Sequence, residues 1–231
     1  MLPEDASQDD ILRRVRDLNQ DERVSGILVQ LPLPSYLSTQ AVFEEIRPEK
    51  DVDGVHPSNL VDLVIRDKEP LFTPCTAKGC LYIIQRYTPS VIGKRAVVVG
   101  QSMIVGAPIA YSLQNMDATV TSCNIMTRNL PKITKEADIL VVSIGNPQFI
   151  KGAWIKPGAL VVDVGTNVVP DPTRQSGTRV VGDVDFESAV KVAGYITPVP
   201  GGVGPMTIAM LLENVFLAWK RANFPTTIPY Q

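Results

Sequence analysis

Arg95-Ala96-Val97-Val98-Val99-Gly100-Gln101-Ser102-Met103-Ile104-Val105-Gly106-Ala107-Pro108 decides the fold. An unbroken apolar run that stops at a glycine predicts a strand buried on both faces, then a tight turn. Helical spacing follows over residues 106–115. Strand, glycine turn and helix in that order open a βαβ unit, whose helix N-terminus attracts phosphate. The spacing is G-x-S-x-x-x-G, not the usual G-x-G-x-x-G. The physical requirement is still met: Gly100 permits the turn, Ser102 offers a hydroxyl and an amide, and Gly106 lets the helix approach the sheet. Gln101 sits within the same turn. The alternative is a strand-to-helix turn that packs without a ligand.

Downstream, residues 118–122, 139–143, 160–164, 179–182 and 195–197 read as further strands. Their Val/Ile/Leu runs predict a parallel sheet covered by helices on both faces. Ligands of such sheets bind beyond the carboxyl ends of the strands. Three glycine-bearing loops belong on that edge: Ser143-Ile144-Gly145-Asn146-Pro147, Asp163-Val164-Gly165-Thr166-Asn167, and Thr197-Pro198-Val199-Pro200-Gly201-Gly202-Val203-Gly204-Pro205-Met206-Thr207. The last is too rich in proline and glycine for a helix or central strand, yet it feeds an apolar helix that follows it.

Upstream, Ser7 caps a predicted helix with apolar positions Ile11, Leu12, Val15 and Leu18. Residues 24–31 read as a buried strand, 39–46 as a short helix, 48–54 as a loop and 77–87 as a connecting helix. The end of the chain, from Phe224 on, reads as an unpacked tail.

A net charge of −2 leaves no electrostatic footprint for nucleic acid or an anionic membrane. No apolar run approaches the ~20 residues that span a bilayer. Three cysteines without CxxC spacing argue against a disulfide framework and for a reducing compartment. One histidine, His56, excludes a His-based metal cluster and is read as a loop residue without catalytic duty. The first residues match neither a secretory signal nor an Arg-rich transit peptide; the expected location is the cytoplasm or a mitochondrion, between which these residues do not decide.

Assembled, these segments resemble the bifunctional methylenetetrahydrofolate dehydrogenase/methenyltetrahydrofolate cyclohydrolase family. The resemblance rests on VSGILVQLPL (Val24 to Leu33), PEKDVDG (Pro48 to Gly54), Pro74-Cys75-Thr76-Ala77-Lys78-Gly79, the turn from Gly100 to Pro108, and ITPVPGGVGPMT (Ile196 to Thr207). It implies two α/β domains with a folate cleft between them. Residues 1–76, with 207–231 packing back, would form an incomplete folate-binding and catalytic domain. Residues 77–206 would form a Rossmann-type NAD(P)-binding domain, through which family members usually pair as homodimers. Asp53 would accept paired hydrogen bonds from the pterin edge, and Gln30 would contact folate and assist catalysis. Leu31, Pro200 and Gly201 would line the folate site. Gly100, Gln101, Ser102, Gly145, Gly165, Thr166, Gly204 and Thr207 would face the cofactor. That cofactor is NADP by family default, with NAD possible because Gln101 cannot form a bidentate charged pair with a 2′-phosphate.

The family's Tyr-x-x-x-Lys motif has no counterpart in this chain. It supplies the lysine for cyclohydrolysis, and Lys50 and Lys78 belong to other motifs. The expectation is therefore an incomplete copy with impaired activity and a poorly stable first domain, or an inactive folate- or nucleotide-binding partner of intact subunits.

Overall fold

The computed structural model describes residue 3 and residues 5–224. The expected tail lies, beyond Phe224, outside the described residues. The chain divides into two compact units, Met1–Cys75 with Met210–Gln231, and Thr76–Ala209.

The second unit is a doubly wound α/β sandwich. Strands β1 (Arg95–Val99), β2 (Thr119–Cys123), β3 (Ile139–Val142), β4 (Leu160–Asp163) and β7 (Tyr195–Ile196) form one parallel sheet, in the order β2-β1-β3-β4-β7. Alternation along each strand feeds two cores. Ala96, Val98 and Val141 pack with Cys80 and Ile84 of α4 (Cys75–Tyr87) and with Ile109 and Leu113 of α5 (Gly106–Asn115). Val97, Val99, Leu140 and Val142 pack on the other side with Leu130 of α6 (Leu130–Thr134), Ile150, Ile155 and Ala189 of α7 (Phe186–Ala189). The chain leaves β1 in one direction to form β2 and returns to place β3 on its other side. The crevice of such a sheet opens at that reversal.

Residues 179–182 do not join this sheet. Strand β6 (Thr178–Val181) pairs antiparallel with β5 (Asn167–Pro170), an element not expected from the sequence. The ribbon is half exposed, with Val168 69% accessible. A run as short as Arg179-Val180-Val181 carries no signal separating a covered strand from an exposed ribbon.

The first unit departs further from expectation. Residues 24–31 form no strand; only Ile27 makes an isolated parallel bridge, to Asp51, with its amide donating to Lys50 O at 2.7 Å. A strand exists by pairing, and among the described residues of this unit no strand lies beside it. Its side chains still find a core: Ile27 packs with Val15 of α1 (Gln8–Gln20), Val42 of α2 (Thr39–Glu45) and Ile46. The α1 start carries the expected Ser7 cap, closed as a capping box with Asp10. Lys50 Nζ donates to Leu18 O at 3.0 Å and Asp21 O at 2.8 Å, so its charge serves the carbonyl end of α1. His56 is the N-cap of an unpredicted helix, α3 (Pro57–Val64), where its ring accepts from the Ser58 amide.

Helix α8 (Val203–Asn223) closes this unit through Asn214, which is 1% exposed. Its side-chain amide donates to Val52 O at 2.9 Å and Thr73 O at 3.3 Å. Nearby, Arg221 donates to Leu71 O at 2.7 Å and stacks over the Phe72 ring at 4.9 Å.

Two buried aspartates tie the carboxyl edge of the sheet. Asp163 accepts from the amides of Gly165 (3.0 Å), Asp183 (3.0 Å) and Val184 (2.9 Å). Asp183 accepts from the amides of Ile144 (2.6 Å), Gly145 (3.0 Å) and Asn146 (2.9 Å) and from Asn167 Nδ2 (2.8 Å). Burial pushes the Asp163 carboxyl up to about 6, against the pull of its amide donors and with help from the negative Asp183.

Two outcomes follow for stability. Replacing Asn214 by Leu strands two or more buried acceptors, and denaturant titration is expected to show a loss of about 2–3 kcal/mol; an unchanged midpoint refutes the tie. For Asp163, the unfolded chain releases the proton near 3.8 and the folded chain near about 6. The folded state binds more protons in that window, so the contribution is present below the lower value and is lost as pH rises through the upper one. From about pH 4 to about pH 7, wild type is expected to lose up to about 3 kcal/mol relative to Asp163→Asn. Surface carboxylates held low, such as Asp21 beside Arg23, cancel because both proteins keep them. A difference that stays flat or slopes the other way overturns the assignment.

Candidate functional site

At the sheet reversal, Gly100 adopts φ +125°, a conformation reserved for glycine, and its amide donates to Cys123 O at 2.8 Å. A Cβ there would lie 2.2 Å from Ser143 O. A Cβ on Gly106 would lie 2.0 Å from Gly100 O, so α5 starts hard against the end of β1. Both glycines are thus required by the backbone itself. The α5 start receives no side-chain cap from Val105. The Ala107 amide donates to Ser102 O at 3.0 Å and Pro108 has no N–H, which leaves the Gly106 amide and the helix dipole for an anion. Ser102 and Gln101 stand exposed in the turn between them.

The loop after β3 adjoins this turn. Ser143 donates its amide to Val99 O at 2.8 Å, while its hydroxyl oxygen is buried and, among the described residues, lacks a hydrogen-bond partner. A glycine cradle, an uncapped helix start and an orphaned hydroxyl suit a dinucleotide pyrophosphate. Beyond the cradle, Gln101 Oε1 accepts from Asn124 Nδ2 at 2.9 Å, and Gln101 Nε2 donates to Ser122 Oγ at 3.3 Å. The end of β2 therefore presents a neutral amide pair, where an NAD-binding sheet carries a carboxylate.

The remaining expected cofactor residues, and Pro200 and Gly201 of the expected folate site, fall on the same unit. Gly145 has open space above its Cα, whereas Gly165 is buried with its Cβ position 2.3 Å from Asp183 Cγ. Thr166 beside it is exposed. Pro200 and Gly201 are exposed in the loop after β7, and Gly204 is exposed in the first turn of α8. Thr207 Oγ1 lies 3.3 Å from both Thr76 Oγ1 and Val203 O, with one hydroxyl proton serving the two contacts.

In the first unit, the DVDG turn divides its two carboxylates. Asp51 is fully buried and accepts from the amides of Gly54 (3.1 Å) and His56 (2.7 Å) and from Asn59 Nδ2 (2.8 Å). Asp53 is partly accessible. Burial raises its carboxyl above the usual range, a hydrogen bond with Cys75 opposes this, and the charge of Asp51 adds to it. Gln30 is exposed and donates from Nε2 to Leu31 O at 3.0 Å; Leu31 is half-buried. Asp51, Asp163, Asp183 and Asn214 were not singled out from the sequence. The available signal for Asp183 was its place directly after Gly182; Asp51 stands three residues before Gly54 and carried no such mark.

Comparison with known proteins accounts for this combination. A family model described as the tetrahydrofolate dehydrogenase/cyclohydrolase NAD(P)-binding domain matches residues 74–223, and that of the catalytic domain matches residues 1–53. Bifunctional protein FolD 4, chloroplastic, of Arabidopsis thaliana is 53% identical over 96% of this chain, and FolD 2 of the same plant is 53% identical over 95%. The chain spans 62% and 74% of those two proteins. The crystal structure of Trypanosoma brucei methylenetetrahydrofolate dehydrogenase-cyclohydrolase, complexed with NADP and an inhibitor, superposes with a TM-score of 0.92 at 44% identity, covering 96% of this chain and 76% of that one. With both family models matched in order and the Gly100 cradle in place, the chain belongs to the tetrahydrofolate dehydrogenase/cyclohydrolase family.

Proposed function

We propose that this chain oxidises 5,10-methylenetetrahydrofolate with NADP and hydrolyses the methenyl product. The observation that carries the first half is the cradle of Gly100, the α5 start and Ser143, within a chain that matches the family over both domains. Gly100, Gln101 and Ser102, with Gly145, Gly165, Thr166, Gly204 and Thr207 around them, would hold the dinucleotide. NADP, when bound, supplies the hydride acceptor. The chain's own task is then to orient two flat rings, since a folate nitrogen lone pair assists hydride departure and no strong base is called for.

Asp53 is the pterin anchor in this reading, with Gln30, Leu31, Pro200 and Gly201 as further folate contacts. Asp51 is committed to the DVDG turn, which leaves Asp53 as the carboxylate that can accept from a pterin edge. A second reading is a folate- and nucleotide-binding protein without turnover. Pairing with a second copy through the Rossmann-type domain, residues 77–206, is part of the proposal and rests on the family likeness; a monomeric sedimentation coefficient counts against it.

Spectrophotometric oxidation of methylenetetrahydrofolate, with NADP and NAD in parallel, tests the main reading. Turnover with NADP is expected; nucleotide binding with no turnover establishes the second reading instead. Asp53→Ala removes two charge-assisted bonds at about 1.5 kcal/mol each, so kcat/KM for the folate should fall roughly 100-fold while the NADP Kd stays fixed. Because the Asp53 carboxyl is raised, the ionised anchor is lost at a higher pH than for an ordinary aspartate. The folate KM should climb on acidification before general unfolding sets in, and a pH-independent KM above that point contradicts the anchor.

A further inference from the structure

Successive backbone amides that alternate right- and left-handed residues converge on one point and form a nest for an anion. Residues 144–146 build such a nest around Gly145, at φ +64°. It faces inward. Asp183 Oδ2 accepts from Ile144 N at 2.6 Å and Gly145 N at 3.0 Å, and Oδ1 from Asn146 N at 2.9 Å. Asp183 is 0% exposed, and Asn167 Nδ2 supplies a fourth donor at 2.8 Å. These amides are committed to the chain's own carboxylate. The other side of the loop carries the bare Cα of Gly145, where a Cβ would meet nothing within 4 Å.

We propose that Asp183 is a positioning residue for dinucleotide binding: it fills the 144–146 nest as an internal anion and fixes that loop beside the Gly100 turn. The proposal rests on the nucleotide half of the function above. The link to the turn is backbone contact, since a Cβ on Gly100 would lie 2.2 Å from Ser143 O, the carbonyl that leads into the nest. Asp163 holds Asp183 in turn by accepting its amide at 3.0 Å and that of Val184 at 2.9 Å. Gly182 leaves room for this arrangement, because a Cβ there would sit 1.8 Å from Asp163 Oδ2. The loop thus offers the cofactor a fixed shape, and the grip on phosphate falls to Gly100 and the start of α5.

Asp183→Asn keeps the outline but turns an NH₂ group toward amide donors, so at least one nest bond is lost. Hydrogen exchange at residues 144–146 is expected to accelerate about tenfold or more while β1 stays protected, with NADP Kd and KM both rising about tenfold and kcat at saturating NADP within about twofold. A purely structural role shrinks the folded fraction, which lowers kcat and leaves KM alone. Should Asp183→Asn not fold, Asn167→Ala removes the fourth donor to Asp183 without altering the cofactor-facing side of the loop and should raise KM in the same direction by a smaller factor. An unchanged Kd in a folded variant, or loss of kcat at constant KM, overturns the proposal. Wild type that binds NADP without oxidising the folate refutes only the activity reading, and the Kd ratio then decides this one. Wild type that binds neither NADP nor NAD overturns both.

Discussion

A carboxylate removed from water must be met by hydrogen-bond donors or surrender its charge. The loops of this protein are arranged around that constraint. Asp51, Asp163 and Asp183 are all buried, and each collects three or more donors from loops that have no regular ladder of their own. The donors are mostly backbone amides, so each carboxylate fixes main chain rather than side chains. The glycines beside them follow from the same packing: a Cβ on Gly165 would meet Asp183, and one on Gly182 would meet Asp163. Some glycines in these motifs therefore make room for an internal anion, not for a ligand.

The parts legible in the sequence were those with a strong local period. The β1–Gly100–α5 segment announced itself because a buried parallel strand is apolar on both faces and its turn demands a residue free to take φ +125°. The 139–143 and 160–164 runs were legible for the same reason. Residues 24–31 carried an equally apolar pattern without forming a strand, because strand formation needs a neighbour that no local pattern can specify. The 179–182 run misled in a milder way. Three residues of Arg-Val-Val fit a ribbon edge as well as a sheet, and the antiparallel partner, Asn167–Pro170, ends in a proline that discourages a strand assignment.

The site was legible to the extent that single residues stand inside motifs. Asp53 and Asp51 lie two positions apart in DVDG; the family resemblance points to Asp53, but no local pattern separates the two. The fold does: Asp51 is spent on the Gly54 and His56 amides and the Asn59 side chain, while Asp53 keeps an accessible face and a raised carboxyl. Asn214 was hidden for another reason. A single polar residue on an apolar helix is unremarkable until its amide is seen to reach Val52 O and Thr73 O, more than a hundred residues away in sequence.

Cofactor choice brings these strands of reasoning together. At the end of β2 a carboxylate would bind ribose hydroxyls and repel a 2′-phosphate. Asn124 does neither, because its amide is engaged with Gln101, and Gln101 is engaged with Ser122. The platform excludes the usual device for preferring NAD without itself supplying a cation for NADP. Any preference for NADP must then come from a positive charge outside the platform, and Arg128, exposed four residues beyond Asn124, is the cation that the same loop provides. Selectivity of that kind is electrostatic and weakly shaped. It weakens as salt screens an exposed guanidinium, unlike the backbone cradle at Gly100, whose grip is set by geometry.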